Sequence, residues 1–168
     1  YAKQMGRAIK LLASSKKTQD GYSAMVAPFL LSPEHPLYNV NDVFNAVFVH
    51  GNVLGDAMFY GSGAGKLPTA SAVVADMVDI AKHLNRNIWV EWSSKELKLA
   101  DFEKIENAFF VRAAADKTEI EAVFGQVEFV TLPEVSGESG FVTGVMTEAA
   151  FAEKSAKLGG ICSVIRVG

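Results

Sequence analysis

A single cysteine among 168 residues excludes an internal disulfide and any metal site built on cysteine pairs. That residue, Cys162, lies in the apolar run "GICSVIRVG" and reads as a buried, unreactive thiol. Histidine is scarce too: His35, His50 and His83 stand far apart without ligand spacing, so they read as loop or surface residues and no metal site is expected. No charge of one sign dominates. Sixteen Lys and Arg face nineteen Asp and Glu, a net charge of −3 with no block of like charge, which argues against a nucleic-acid partner. No apolar run approaches the about 18 residues of a membrane span, and the start lacks a signal-peptide layout, so no membrane partner is expected. The opening "YAKQMGRAIKLL" has no initiator Met and reads as the middle of an amphipathic helix, with Met5, Ile9 and Leu12 on one stripe. That is the expectation for a piece of a longer protein.

What is present is an ordinary globular composition, 49% hydrophobic and 21% charged, enough for one domain or two small ones. After the opening segment, "SSKKTQDG" reads as a polar turn. "YSAMVAPFLL" reads as a strand whose Pro28 belongs at an edge or bulge. "SPEHPLYNVND" is a loop. "VFNAVFV" and "VLGDAMFYG" flank a tight turn at "HGN", so residues 43 to 60 predict a hairpin. A helix follows, with Val73, Val74, Met77, Ile80, Ala81 and Leu84 at helical spacing; Pro68 suits its first turn, and Thr69 or Ser71 is placed to help cap it. "NRNIWVEWSSKELKLADFEKIEN" is polar and charged and reads as a linker, its Trp89 and Trp92 expected to rest partly on the body. From residue 108 the pattern is strand, helix, strand, strand, helix, strand: "AFFVRAAA", "KTEIEAVFG", "VEFVTLPE", "GFVTGVMTE", "AAFAEKSAKL" and "ICSVIRV". That order is the ferredoxin-like split unit. The fold class is therefore α+β: a partial mixed-sheet region with a strand-to-helix glycine turn, then a βαββαβ domain. The boundaries are 1–84, a linker at 85–107, and 108–168.

The run "FYGSGAGKLPTASAVVADM" carries the most chemistry. A phosphate-binding P-loop needs G-x-x-x-x-G-K-[ST]; here the spacing is one residue short and Leu67 stands where the metal-binding hydroxyl belongs. A dinucleotide fingerprint needs G-x-G-x-x-G after the first strand of a βαβ unit, with an acid closing the next strand. "GSGAG" has two of those glycines, and Glu91 in "IWVEW" imitates the acid, yet the preceding strands form a hairpin and no further βα units follow. The third reading is a sharp strand-to-helix bend that lets backbone approach something closely. A helix amino end is a ready anion site, so a cofactor carried by another part of a longer chain is the expected neighbour.

The stretch "HPLYNVNDVFNAVFVHGNVLGDAMFYGSGAGKLPTASAVVADMVDIA" resembles the carboxy-terminal part of bacterial homoserine dehydrogenases, through "HPL", "NAV", "FYGSGAG" and "PTASAVVADMVDIA". The resemblance covers residues 1 to about 84, and the βαββαβ order after the linker is similar to the ACT regulatory domain of many members. It implies an NAD(P)-dependent, cytoplasmic oxidoreductase interconverting homoserine and aspartate semialdehyde in threonine and methionine synthesis. The dinucleotide would be held mainly by an amino-terminal domain outside this chain. The family's catalytic lysine and acids also lie outside it, so no catalytic residue is assigned, and Lys10 and Lys66 read as ordinary lysines. The family's glycine run touches the dinucleotide, which maps the cofactor contact onto Gly65, with Gly63 and Ala64 beside it. The hairpin strands around Asn45 and Phe48 resemble the dimerisation sheet, so a homo-oligomer through those strands and the ACT-like sheet is implied. In an ACT domain the turn after the first strand meets an amino-acid effector; here that turn is "ADKTEIE", giving Asp116, Lys117 and Thr118, without the usual glycine. The alternative is a stand-alone amino-acid-sensing or self-associating module with no enzyme attached.

Overall fold

Strand pairing, not helix formation, governs the first thirty residues. In the computed structural model, which describes residues 1–168, β1 (Ala8–Thr18) and β2 (Gly21–Leu31) pair antiparallel from Ala8↔Leu31 to Thr18↔Gly21. The helix expected at the start is therefore corrected: residues 2–6 are turns and the strand begins at Ala8. Met5, Ile9 and Leu12 fit a helical stripe, but Ile9, Leu11 and Ala13 fit a strand face equally well, and pairing along all of β2 decides between them. The polar turn shrinks to Gln19–Asp20. Pro28 stays inside β2, opposite Leu11, and contact with the next strand over begins only at Phe29, so its missing N–H costs no ladder bond there.

The second half follows the expected order. β5 (Glu106–Ala113), α2 (Lys117–Phe124), β6 (Glu128–Val130), β7 (Ser139–Val142), α3 (Glu148–Leu158) and β9 (Ile161–Val167) form a βαββαβ unit; a two-residue strand β8 (Met146–Thr147) adds a pair on β5. The sheet order is β1-β2-β9-β5-β7-β6. Every ladder is antiparallel except β2 with β9, joined at Phe29↔Arg166 and Leu30↔Val167. Contacts therefore divide the chain elsewhere than at the sequence boundaries. One unit is Tyr1–Tyr38 with Glu96–Gly168, and the other is Asn39–Lys95.

In the first unit, strand alternation sends Phe109, Val111, Ala113 and Phe141 to the helix-bearing face. Ile120 and Phe124 of α2 and Phe151 of α3 close over them, with Phe109 and Phe151 stacked at 3.9 Å between ring centroids. Each of the Val, Ile and Phe side chains, when fully buried, stabilises the unit by about 1.5–3 kcal/mol. Ala27, Phe29 and Leu31 form a smaller cluster on one face of the β1–β2 hairpin. Near the joint, Glu148 is only 8% exposed and receives both Nε and Nη2 of Arg166, at 2.6 and 2.8 Å, and Asn107 Nδ2 at 2.8 Å. Cys162 is exposed, correcting the buried thiol: the β5–β9 register steps from Ser163 to Ile161 and leaves Cys162 unpaired at an irregularity.

The second unit holds β3 (Phe44–Gly51), β4 (Gly55–Ser62) and α1 (Lys66–Lys82). The hairpin turn is Asn52–Leu54, two residues later than expected, because Gly55 supplies the left-handed φ of +75°. No residue of α1 is buried. Residues 85–98 carry no strand or helix, and Trp89 and Trp92 are 84% and 86% exposed, so the expectation that they rest on the body is corrected. No helix is long and apolar enough to cross a membrane.

Candidate functional site

The glycine bend is built where β4 hands the chain to α1. β3 and β4 pair from Phe44↔Ser62 to Gly51↔Gly55, and Gly63 N–H extends the ladder by donating to the Val43 carbonyl at 3.0 Å. A Cβ on Gly63 would sit 2.6 Å from Asn45 Cγ, so a methyl there would displace Asn45, whose amide also donates to the Val43 carbonyl at 3.3 Å. Gly65 is required for a different reason. As N-cap of α1 it takes φ 115° and ψ 155°, which side chains rarely adopt. Ala64, between the two glycines, is exposed. The bend therefore brings Gly63, Ala64 and Gly65 together in one turn, as the sequence suggested.

The amino end of α1 is electrostatically open. No side chain caps it and no acidic residue lies in its first turn; Lys66 occupies the first helical position. The help expected from Thr69 or Ser71 is thus absent: the Thr69 amide donates to the Gly65 carbonyl at 3.1 Å, and no hydroxyl caps the end. Uncapped N–H groups and the helix dipole favour an anion here. Along the helix, Val73, Val74, Met77 and Ile80 are all more than half exposed, as is Leu84 in the turn just past its end, an apolar stripe suited to another surface. On the hairpin, Val47 faces Phe59 across the strands, and both are exposed.

The second candidate site lies in the other unit. Asp116 is the N-cap of α2, and its carboxylate accepts from the Glu119 amide at 2.9 Å while Glu119 accepts from the Asp116 amide at 3.0 Å. This capping box commits the Asp116 carboxylate to the helix. Lys117 sits with its ammonium 5.0 Å from the Phe129 ring centroid, a cation–π contact. Thr118 is exposed on the first turn. The preceding turn is held by neighbours: Ser139 Oγ donates to the Ala115 carbonyl at 2.8 Å, and the Ala114 amide donates to the Gly160 carbonyl at 2.8 Å.

Two ionic groups escaped the sequence reading. Glu148 with Arg166 is one. The other is Arg112 with Glu138, bidentate at 2.8 Å through Nε and Nη2; this contact holds the Glu138 carboxyl below the usual carboxylate range and raises Arg112. Their partners lie 18 and 26 residues apart, and no local pattern marks them.

The family model described as homoserine dehydrogenase matches residues 1–78. Among curated relatives, the homoserine dehydrogenase of Neisseria gonorrhoeae is 49% identical over 82 residues, covering 49% of this chain and 19% of the relative. That of Mycobacterium bovis is 35% identical and covers 99% of this chain and 44% of its own length. Among solved structures, a homoserine dehydrogenase from Thiobacillus denitrificans covers the whole chain at TM-score 0.80 and 26% identity, with 44% of that protein matched. One from S. aureus covers 99% of the chain at TM-score 0.70 and 27% identity. The chain thus spans between about a fifth and less than half the length of the relatives it matches.

Proposed function

Because the chain belongs to the homoserine dehydrogenase family and corresponds to the carboxy-terminal part of its relatives, we propose that it completes an NAD(P)-dependent oxidoreductase acting on the homoserine/aspartate semialdehyde pair. In this reading the chain does not catalyse by itself. When bound, the dinucleotide takes or gives the hydride; this chain lends one wall. Gly65, with Gly63 and Ala64, lets bare backbone lie against the nicotinamide half. The uncapped α1 end would favour the anionic part of the cofactor. The exposed stripe of α1 would return to the cofactor-binding domain, and the β3–β4 strands would pair with a second copy. The βαββαβ unit would serve as an ACT-like regulatory module in a cytoplasmic enzyme. Its Asp116–Thr118 turn would offer an amino-acid effector mainly backbone groups, since the Asp116 carboxylate already caps α2.

The observation that carries the cofactor reading is Gly65: a positive φ at the uncapped end of a helix, on a bend where Gly63 is also closed to side chains. The test is kinetic. In a full-length homoserine dehydrogenase carrying this chain as its carboxy-terminal part, Gly65→Ala should raise the dinucleotide KM at least tenfold and leave the homoserine KM near its starting value. Gly61→Ala, at a position where a Cβ meets nothing within 4 Å, should change neither. Equal effects of the two substitutions, or turnover of homoserine by the isolated chain, would refute the reading.

A further inference from the structure

The open face of the βαββαβ sheet, opposite its two helices, is not bare. Tyr1 lies on it, its ring 5.5 Å from that of Phe110 and 5.8 Å from the Arg112 guanidinium. The seat depends on Gly140, where a Cβ would come within 2.7 Å of the Tyr1 ring. Glu138 closes it: its carboxylate holds Arg112 through two bonds and also engages the Tyr1 hydroxyl. The Glu138 side chain is 13% exposed, so this is a packed contact. The next residue, Ser139, projects to the other face and binds the Ala115 carbonyl in the β5–α2 turn. Two neighbouring residues at the start of one strand therefore grip different objects on opposite faces.

We propose that Glu138 and Ser139 form a positioning relay through which a displacement of the β5–α2 turn is transmitted to the Tyr1 segment leading into β1. The mechanical basis is the stiffness of β7. Gly140 pairs with Arg112 and Ser139 with Ala113, so a shift of Ser139 along the ladder carries Glu138 and the Arg112 pair with it. Tyr1 is tied onward into the chain, its carbonyl accepting from the Met5 amide at 3.0 Å, directly before β1. The relay needs no bound effector and stands or falls separately from the proposed regulatory role. Coupling of this kind is reciprocal, so a perturbation at either end is felt at the other.

The experiment uses the whole chain and two variants, each removing one grip. The Tyr1 phenol is the first reporter: burial and Glu138 together raise its pKa above the ordinary value of 10.0. Its resonance, identified by its loss in Tyr1→Phe, is followed through a pH titration. The second reporter is exchange of the Ala114 amide. Ser139→Ala, which touches only the turn, should move the Tyr1 titration down toward the ordinary value. Glu138→Gln, which loosens the Tyr1 seat together with its Arg112 pair, should speed Ala114 exchange by about three- to tenfold, the loss expected for weakening one hydrogen bond. The Phe141 amide reports global opening and should accelerate less than the Ala114 amide in either variant; Glu153→Gln, on the exposed side of α3, should move neither reporter. If each variant disturbs only its own end, or if Phe141 accelerates as much as Ala114, the relay is overturned.

Discussion

Replacing Glu148 by alanine should be among the most destabilising single changes outside the apolar core. The substitution removes both oxygens that receive Arg166 at 2.6 and 2.8 Å, and the acceptor for Asn107 at 2.8 Å. Breaking a buried ion pair from one side costs about 3–5 kcal/mol, because the remaining charge is left without its counterion. Here the Glu148 side chain is 8% exposed but that of Arg166 is 21% exposed, so water reaches the stranded guanidinium and the lower end applies. Glu148 also lies in the first turn of α3, where a negative charge gains about 0.3–1 kcal/mol from the helix dipole. These contributions overlap, and we expect a loss of about 3 kcal/mol. At about 2–4 °C per kcal/mol for a protein of this size, Tm should fall by about 6–12 °C. Urea unfolding followed by far-ultraviolet circular dichroism, with calorimetry for Tm, measures it. The control is Glu153→Ala, which breaks a pair of the same 2.6 Å length between side chains 62% and 70% exposed and should leave stability unchanged. If Glu148→Ala costs no more than Glu153→Ala, burial does not govern this pair and the reasoning fails.

Phe141→Ala should cost about 3–5 kcal/mol by urea titration, since Phe141 is fully buried between Phe124 and Phe129; a loss below 1 kcal/mol would contradict its central place. His35 should make stability fall as the medium is acidified. Burial holds its pKa below the ordinary 6.5, so the unfolded chain takes up the proton first, and stability drops as pH falls below about 6.5 towards the folded pKa. His35→Asn should flatten that slope, and an unchanged slope would point to another group. Trp89 and Trp92, the chain's only tryptophans, should emit as solvated indoles and be fully accessible to acrylamide; a blue-shifted, protected emission would show that the 85–98 segment packs.

Elements whose periodicity has no competitor were legible. α1 was expected from its apolar spacing and Pro68, and it forms at Lys66–Lys82. The βαββαβ order was readable because each strand and helix there carries its own pattern, whereas the caps that Asp116 and Thr147 supply emerged only in the structure. β1 was not legible, because "AIKLLAS" satisfies a helical stripe and a strand face together, and only a partner separates them. At the candidate site, Gly65 could be singled out by its place in a bend, but the clash that requires Gly63 depends on Asn45, eighteen positions earlier. The exposure of Cys162 likewise follows from a register step in β9 against β5.

What the residues alone determined is therefore local and short in range: backbone conformations, turn glycines and the faces of isolated elements. Only the tertiary structure decided that the first hairpin joins the last strand, through Phe29↔Arg166 and Leu30↔Val167. It also decided that Glu148 waits for Arg166, and Glu138 for Arg112 and Tyr1. The physical reason is distance along the chain. A hydrogen bond or ion pair between residues far apart in sequence leaves no periodic trace; it exists only once packing has brought its two ends together.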